Sequence, residues 1–376
     1  MPDVLLQAPS DPAEQCWTRT EIQQQPETLR QTQALLSAQR GDIEAFVAPL
    51  LARPDLRIVL TGAGTSAFIG ECLAPWLSRV LARSVEAIAT TDIVSAPDLH
   101  LRRSEPTLLV SFGRSGSSPE SVAAADLVDA RVDAAYHLIV TCNADGELGQ
   151  RRGDNIHVLV LPEATHDRAF AMTSSFSAMM FAALSIFEGI GALEGRADAI
   201  ADAVQRMLTQ VSPFVADLAE KKFDRVVYLG SGVFKGLARE AALKLMELSD
   251  GAVATAFDTP LGFRHGPKTF ITERTLAVVF LSNDPLTRRY DLDLLEELRR
   301  DGRSGAVVAI SAQQDDGAEI CADMPGACDA DLLFPYIVPA QLFGLQVSFS
   351  LGLTPDQPNA SGTVNRVVQG VRIHSA

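Results

Sequence analysis

A strand–turn–helix pattern is written twice in this chain, at a constant separation of 168 residues. Arg57-Ile58-Val59-Leu60-Thr61-Gly62-Ala63-Gly64 aligns with Arg225-Val226-Val227-Tyr228-Leu229-Gly230-Ser231-Gly232. At the same separation Thr107-Leu108-Leu109-Val110-Ser111-Phe112 aligns with Thr275-Leu276-Ala277-Val278-Val279-Phe280, and Leu138-Ile139-Val140-Thr141 with Ala306-Val307-Val308-Ala309. Three matches at one separation mark a duplicated α/β unit. The copies part company after the second matched strand. The first continues Gly113-Arg114-Ser115-Gly116-Ser117-Ser118-Pro119, and the second Leu281-Ser282-Asn283-Asp284-Pro285. One holds small hydroxyls and a cation; the other puts an aspartate where an anion would have to sit. The asymmetry implies one phosphorylated ligand per chain.

Short continuous Val/Ile/Leu runs, each followed by a helical stretch, predict a parallel sheet buried on both faces. In the first unit the predicted strands are 57–61, 107–112, 137–142 and 156–161. In the second they are 225–229, 275–281 and 305–311, with Asp331–Ile337 as a possible fourth. Residues 1 to about 20 read as a loose tail. A helical pattern covers Thr20 to Arg53, broken near Gly41-Asp42, with Pro26 suited to a first helical turn. Residues 196–221 read as a helix linking the halves. The expected division is therefore 1–56 for the N-terminal tail and helices, 57–221 for the first unit with its linker helix, 222–350 for the second unit, and 351–376 for a C-terminal tail ordered by docking.

Composition narrows the partners. The net charge of the 376 residues is −15 and no basic run occurs, so nucleic acid is not an expected ligand. An acidic chain that binds a small phosphate must use local dipoles and one or two cations. The five cysteines, Cys16, Cys72, Cys142, Cys321 and Cys328, form no Cys-x-x-Cys pair, which suits a reduced cytoplasmic setting. The first residues lack the basic and apolar regions of a signal peptide. Ala169–Phe187 is uncharged and long enough to span a bilayer, but five hydroxyl residues within it predict a buried core or interface helix instead. No membrane partner is expected.

Ligands of such sheets bind at the carboxyl ends of strands, beside helix N-termini. Gly62-Ala63-Gly64-Thr65-Ser66 follows the first strand and opens a helix, placing two hydroxyls in its first turn. The 113–118 turn is the stronger signal: Ser118 suits an N-cap and Pro119 the first helical position. Ser115, Ser117 and Ser118 offer hydroxyls, and Arg114 a charge-assisted bond. Neither turn is a P-loop or a dinucleotide fingerprint, because position 67 is not glycine and no Gly-Lys-Ser/Thr follows.

The second unit offers acid–base groups. Glu240, Lys244 and Glu247 fall on one face of a largely apolar helix. Burial there would raise a carboxyl pKa toward one suited to proton transfer, while a surface Glu–Lys–Glu ladder is the alternative. His265 lies in the turn Gly262-Phe263-Arg264-His265-Gly266-Pro267-Lys268 and is the one histidine in so rigid a setting; His166 is a weaker second candidate. No metal-ligand spacing is visible, and no cofactor is expected.

These residues resemble a known family. The Ser-Gly turn, the Glu-Ala-Ala-Leu-Lys-Leu-Met-Glu helix and the His-Gly-Pro loop look like the sugar isomerase (SIS) fold, a flavodoxin-like parallel-sheet unit, here in tandem. They are similar to the isomerase half of glucosamine-6-phosphate synthase. Gly62–Gly70, Arg114-Ser115-Gly116, Asp258–Pro267 and Asn365-Arg366-Val367-Val368-Gln369-Gly370 resemble more closely the AgaS-type group, described as galactosamine-6-phosphate deaminase or tagatose-6-phosphate ketose/aldose isomerase. The resemblance runs from about residue 20 to the C-terminus. It implies phosphate ligands at Ser66, Ser115 and Ser118, a base moving a proton between C1 and C2 at Glu247, and ring opening by His265, which in relatives can come from the neighbouring subunit of a homodimer or higher homo-oligomer. Two positions depart from the synthase: Gly113 replaces a phosphate-binding serine, leaving more of that load to Arg114, and a ring-opening lysine falls near Gln369.

The resulting expectation is a cytoplasmic enzyme with a phosphosugar substrate, converting galactosamine 6-phosphate to tagatose 6-phosphate and ammonia, with Glu247, His265 and Lys244 as the catalytic set. No glutaminase domain precedes the two units, which favours ammonia release. A pure aldose–ketose isomerase and a glucosamine-6-phosphate deaminase are the alternatives on the same scaffold. A non-catalytic phosphosugar sensor would want a basic helix-turn-helix, which residues 1–56 do not offer, and would have lost Glu247 and His265.

Overall fold

The computed structural model describes residues 16–314, 317–359, 361–368 and 370–374. Three N-terminal helices, α1 (Trp17–Gln23), α2 (Gln25–Ala38) and α3 (Arg40–Leu51), precede the first sheet. Helix begins at Trp17, so the expected loose tail is too long by several residues. The reason lies far along the chain: the Asp356 carboxylate accepts from the backbone N–H of Trp17 and Thr18 at 2.9 and 2.7 Å, filling the N-terminal donors of α1. The helical breaks fall at Gln24 and Gln39 rather than at Gly41-Asp42, and Pro26 occupies the first turn of α2 as its sequence predicts.

The first unit runs β1 (Arg57–Thr61), α4 (Thr65–Val80), β2 (Val85–Ala87), α5 (Thr90–Ser95), α6 (Pro97–His100), β3 (Thr107–Gly113), α7 (Pro119–Arg131), β4 (Ala135–Thr141) and β5 (Ile156–Val160). Two helices, α8 (Ser174–Glu188) and α9 (Ile190–Ala219), lead to the second unit. That unit runs β6 (Arg225–Gly230), α10 (Val233–Leu248), β7 (Ala254–Asp258), α11 (Pro260–Phe263), β8 (Thr275–Phe280), α12 (Pro285–Asp301), β9 (Ala306–Ser311), β10 (Ile320–Cys321) and α13 (Asp329–Ser350).

Both sheets are parallel and have the same topology, β2-β1-β3-β4-β5 and β7-β6-β8-β9-β10. The duplication is exact at its core: α4 and α10 are each 16 residues long and start 168 residues apart. Each is entered through a glycine held at φ 57°, Gly64 and Gly232, a left-handed conformation that L side chains resist.

Asp331–Ile337 is helix and not strand: it lies inside α13. The run Leu332-Leu333-Phe334-Pro335-Tyr336-Ile337 is buried on every side, packed against α9 and α10, so it carries no periodicity by which helix and strand could be told apart. Among the described residues α13 is the one helix long and apolar enough to cross a membrane, and its apolar window is 89% buried within the fold. The uncharged stretch 169–187 becomes helical only from Ser174. Its Ser177 and Ser185 hydroxyls bond the amide oxygens of Gln25 and Gln33 on α2.

The two units meet where α10 crosses α4. Gly236 makes that crossing close: a Cβ there would stand 2.6 Å from the Cys72 nitrogen and 2.7 Å from the Glu71 carbonyl carbon. Backbone cannot yield as a flexible side chain does. Gly236→Ala is therefore expected to destabilise the protein by about 1–3 kcal/mol through overpacking, read from the midpoint of urea unfolding.

Candidate active site

The crossing of α4 over α10 brings the first unit's glycine–serine turns and the second unit's charged helix face to one cavity of about 210 Å³. Its first-unit wall is Thr65 and Ser66 from the start of α4, with Ser115, Ser118 and Ser121 around the start of α7. No side chain caps either helix, so two positive helix ends open on the same space. Together with the hydroxyls they make a site for one anion.

Five of the six predicted phosphate-side residues, Thr65, Ser66, Arg114, Ser115 and Ser118, line this cavity. Ser117 does not. Its hydroxyl accepts from the Glu147 N–H at 3.2 Å, pinning the 143–148 loop beneath the turn, while the Asn143 amide donates to the Ser115 carbonyl at 2.9 Å. Ser117 shapes the cradle from behind. Arg114 is buried and spends its guanidinium on carbonyls: Ala169 at 2.9 Å, Phe170 at 3.0 Å and Arg366 at 2.8 Å. Burial, with the nearby Arg366 charge, pulls its pKa down to about 10, so it remains a cation at neutral pH.

The second unit's equivalent turns are already filled by its own carboxylates. Asp284 accepts from the Leu286 and Thr287 N–H groups at the start of α12, at 3.1 and 2.9 Å. Asp291 bridges the two turns, accepting from the Ser231 hydroxyl at 2.6 Å and the Ser282 N–H at 3.0 Å. Asp329 takes the Ser282 hydroxyl and the Asn283 N–H. Burial holds Asp291 up, at about 6, against these donors. The α12 start and the turn before it are thus satisfied internally, whereas α10, like α4, has no side-chain cap.

On the opposite wall stands Glu247 of α10. Behind it Lys244 and Glu240 are fully buried, which excludes the surface-ladder reading of this helix face. The Lys244 ammonium bonds directly to the Glu247 carboxylate and lies 3.5 Å from Glu240 Oε1. Glu240 Oε1 also accepts from the Thr65 hydroxyl at 3.3 Å, a bond that joins the two units. Its other oxygen, Oε2, is buried without a partner. Burial pushes the Glu240 carboxyl up to about 8; Lys244 pulls it down and Glu247 pushes it further up. Burial disfavours the Lys244 charge, but the two carboxylates outweigh it and leave its pKa above the ordinary lysine value.

His265 is exposed, in the turn after α11, and is not among the residues lining the cavity of its own chain. His166 faces a separate hollow with Trp17, Glu21 and Arg168; burial, then the charges of Arg366 and Arg114, lower its pKa. Among the described residues no group of three or more His, Cys, Asp or Glu side chains is arranged to hold a metal ion.

The roof of the cavity is a part the sequence reading did not assign: Val364 to Val368 of the C-terminal tail, with Phe170 and Met172. Arg366 fixes this roof by donating from Nε to the Asp167 carbonyl at 3.1 Å. Asp167 in turn accepts from Thr173 N–H at 2.7 Å and Ser175 N–H at 2.9 Å at the start of α8. Glu21 of α1 accepts from the Arg168 and Ala169 N–H groups. The motif 365–370 was visible in the sequence, but nothing local to it revealed a partner 199 residues away. Gln369 lies outside the described residues.

Glu21 and Glu240 are both raised from 4.5 to about 8, Glu21 by burial and then by Asp167. Each holds its proton more tightly folded than unfolded. The stability they contribute is complete below about pH 4.5 and is lost as the pH rises through about 8. Urea unfolding across this range is expected to have a shallower dependence on pH in Glu21→Gln than in the wild type.

Comparison with known proteins agrees with this architecture. Residues 50–188 match the family model of the SIS domain. The chain is 46% identical, over 97% of both proteins, to the D-galactosamine-6-phosphate deaminase AgaS of Escherichia coli. It is 43% identical to the protein of that name from Shewanella sp. (strain ANA-3), over 95% of this chain and 92% of the relative. The crystal structure of tagatose-6-phosphate ketose/aldose isomerase from Escherichia coli superposes with a TM-score of 0.89 at 42% identity, covering 98% of this chain and 99% of that one. With its repeated sheet, its single open cradle and these relatives, the chain belongs to the AgaS family of SIS-domain proteins.

Proposed function

We propose that the protein is a deaminating isomerase of a hexosamine 6-phosphate, converting galactosamine 6-phosphate to tagatose 6-phosphate and ammonia. The observation that carries this reading is the single cavity in which an anion site and the Glu247 carboxylate face each other. The names of the curated relatives supply the substrate class.

In the proposed mechanism the substrate phosphate sits on the α4 and α7 N-termini, bound by Ser66, Ser115 and Ser118. His265 moves a proton from the C1 hydroxyl to the ring oxygen, and the ring opens to the C1 aldehyde. Its exposure on its own chain suits delivery into a partner's cavity, so the working unit is proposed to be a homodimer. Glu247, oriented by Lys244, takes the C2 proton and leaves an enolamine, whose developing O1 charge neighbouring donors hold. The same carboxyl returns a proton to C1, giving a C2 imine. Water adds at C2 and ammonia leaves, forming the ketose. The five free cysteines support a reducing, cytoplasmic setting. The division at 57–221 and 222–350 is proposed to separate phosphate binding from proton transfer.

A second reading is favoured by the superposed isomerase structure: the same proton transfer on a substrate with a C2 hydroxyl, ending at the ketose with no ammonia released.

Purified protein given galactosamine 6-phosphate is expected to release ammonium, and to do so faster than with glucosamine 6-phosphate. Silence with both, with turnover of galactose 6-phosphate, would establish the second reading instead. Glu247→Gln is expected to lower kcat by at least about 100-fold, the low end for a lost general base, and near-normal turnover would remove it from that role. Ser115→Ala is expected to raise KM for the phosphosugar; an unchanged KM would count against the cradle.

A further inference from the structure

The Thr65 hydroxyl stands at a junction. It lines the cavity at the first turn of α4, where an anion is drawn to the helix end, and it donates to Glu240 Oε1, which no solvent reaches. Glu240 makes no other bond on its Oε2, and its remaining contact is the Lys244 ammonium at 3.5 Å. Lys244 is shared between Glu240 and Glu247, the carboxylate that faces the cavity. One hydroxyl thus connects the anion site to the ionic state of the helix that carries the base.

The surroundings of Glu240 leave few other influences. From α4 come Thr65 and Cys72, with Glu71 beyond, paired to Arg239. Its own helix supplies Lys244 and Glu247, and Arg114 acts on Lys244 from the cradle side. On the other flank α13 brings Gly344 against the Lys244 carbonyl, and its own charges, Asp329 and Asp331, are confined to its first turn.

We propose that Thr65 couples phosphate occupancy to the protonation of Glu240: a phosphate at the start of α4 takes the Thr65 hydroxyl, and Glu240 answers by binding a proton from solvent, which leaves Glu247 the one carboxylate paired with Lys244. Two effects act in the same direction. The carboxylate loses a hydrogen-bond donor that stabilised its charged form, and a dianion arrives close by. The unpartnered Oε2 receives the proton. Lys244 already bonds Glu247 in the unfilled cavity, and protonation of Glu240 strengthens that pairing when the cradle fills. Glu240 is a positioning residue in this scheme, and the inference rests on the phosphosugar reading of the cavity.

The test is calorimetric titration of the full-length protein with a hexitol 6-phosphate, which carries the phosphate but no carbonyl to react. Titrations run at about pH 8, where the monoester is already a dianion because its second pKa is about 6. Two buffers of different ionisation enthalpy, HEPES and Tris, reveal the protons exchanged. Wild type is expected to take up a fraction of a proton per chain, since a carboxyl raised to about 8 is only partly protonated there beforehand. Glu240→Gln is expected to bind the hexitol phosphate with no such uptake. Thr65→Val is expected to lose most of the uptake and Thr65→Ser to restore it, which keeps the test available if Glu240→Gln fails to fold. Binding to wild type with the same enthalpy in both buffers would overturn the coupling, as would undiminished uptake in Glu240→Gln. Failure of wild type to bind the hexitol phosphate at all would bring down the phosphosugar reading and the coupling with it.

Discussion

A lysine ammonium with no solvent contact, held between two carboxylates, is the constraint around which this molecule is arranged. Lys244 reaches Glu247 on its cavity side and Glu240 on its inner side. Removing a charge from water costs several kcal/mol unless partners repay it, so the Glu247 carboxylate and the Glu240 carboxyl must both be held in place. The fold meets that demand by passing α10 across α4 at Gly236, close enough for Thr65 of one unit to bond Glu240 of the other. The helix contact that joins the units therefore also builds the site.

Duplication explains both the symmetry of the scaffold and the asymmetry of its chemistry. The two units repeat the same strand order and the same glycine entry into a 16-residue helix. Helix ends exposing unpaired N–H groups are costly to leave empty inside a protein. The first unit leaves those of α4 and α7 facing a cavity; in the second, Asp284 caps α12 while Asp291 and Asp329 fill the turns beside it. One copy leaves two helix starts open on a cavity, and the other carries anionic side chains at the matching turns. The donated carboxylates free the second unit to offer Glu240, Lys244 and Glu247 instead.

Much of this was legible in the sequence because it is locally encoded. The 168-residue repeat placed β1, β3, β4 and their counterparts, and the i, i+4, i+7 spacing put Glu240, Lys244 and Glu247 on one face. What escaped was encoded elsewhere. The edge strands β2 and β10 are short, and the exposed or half-buried residues of β7 leave no apolar run to detect. Asp331–Ile337 lacked periodicity because its surroundings are apolar on every side. Asp356 and Arg366 act across 338 and 199 residues, and their partners are backbone groups of α1 and of the 167–170 loop, which have no signature in sequence. For His265, the rigidity of its turn was visible but its distance from the cavity was not. Ser117 had the right chemistry and the right neighbours, yet the 143–148 loop claims it.

The central claim is that one carboxylate, Glu247, serves both C2 and C1 from a fixed side of the substrate. Turnover of galactosamine 6-phosphate in deuterium oxide, with the C1 methylene of the tagatose 6-phosphate product resolved by NMR, tests it directly. The account predicts that whatever solvent deuterium enters C1, in competition with direct return of the C2 proton, occupies a single prochiral position. Deuterium distributed equally between both positions would mean that no fixed base delivers the proton, and would contradict it.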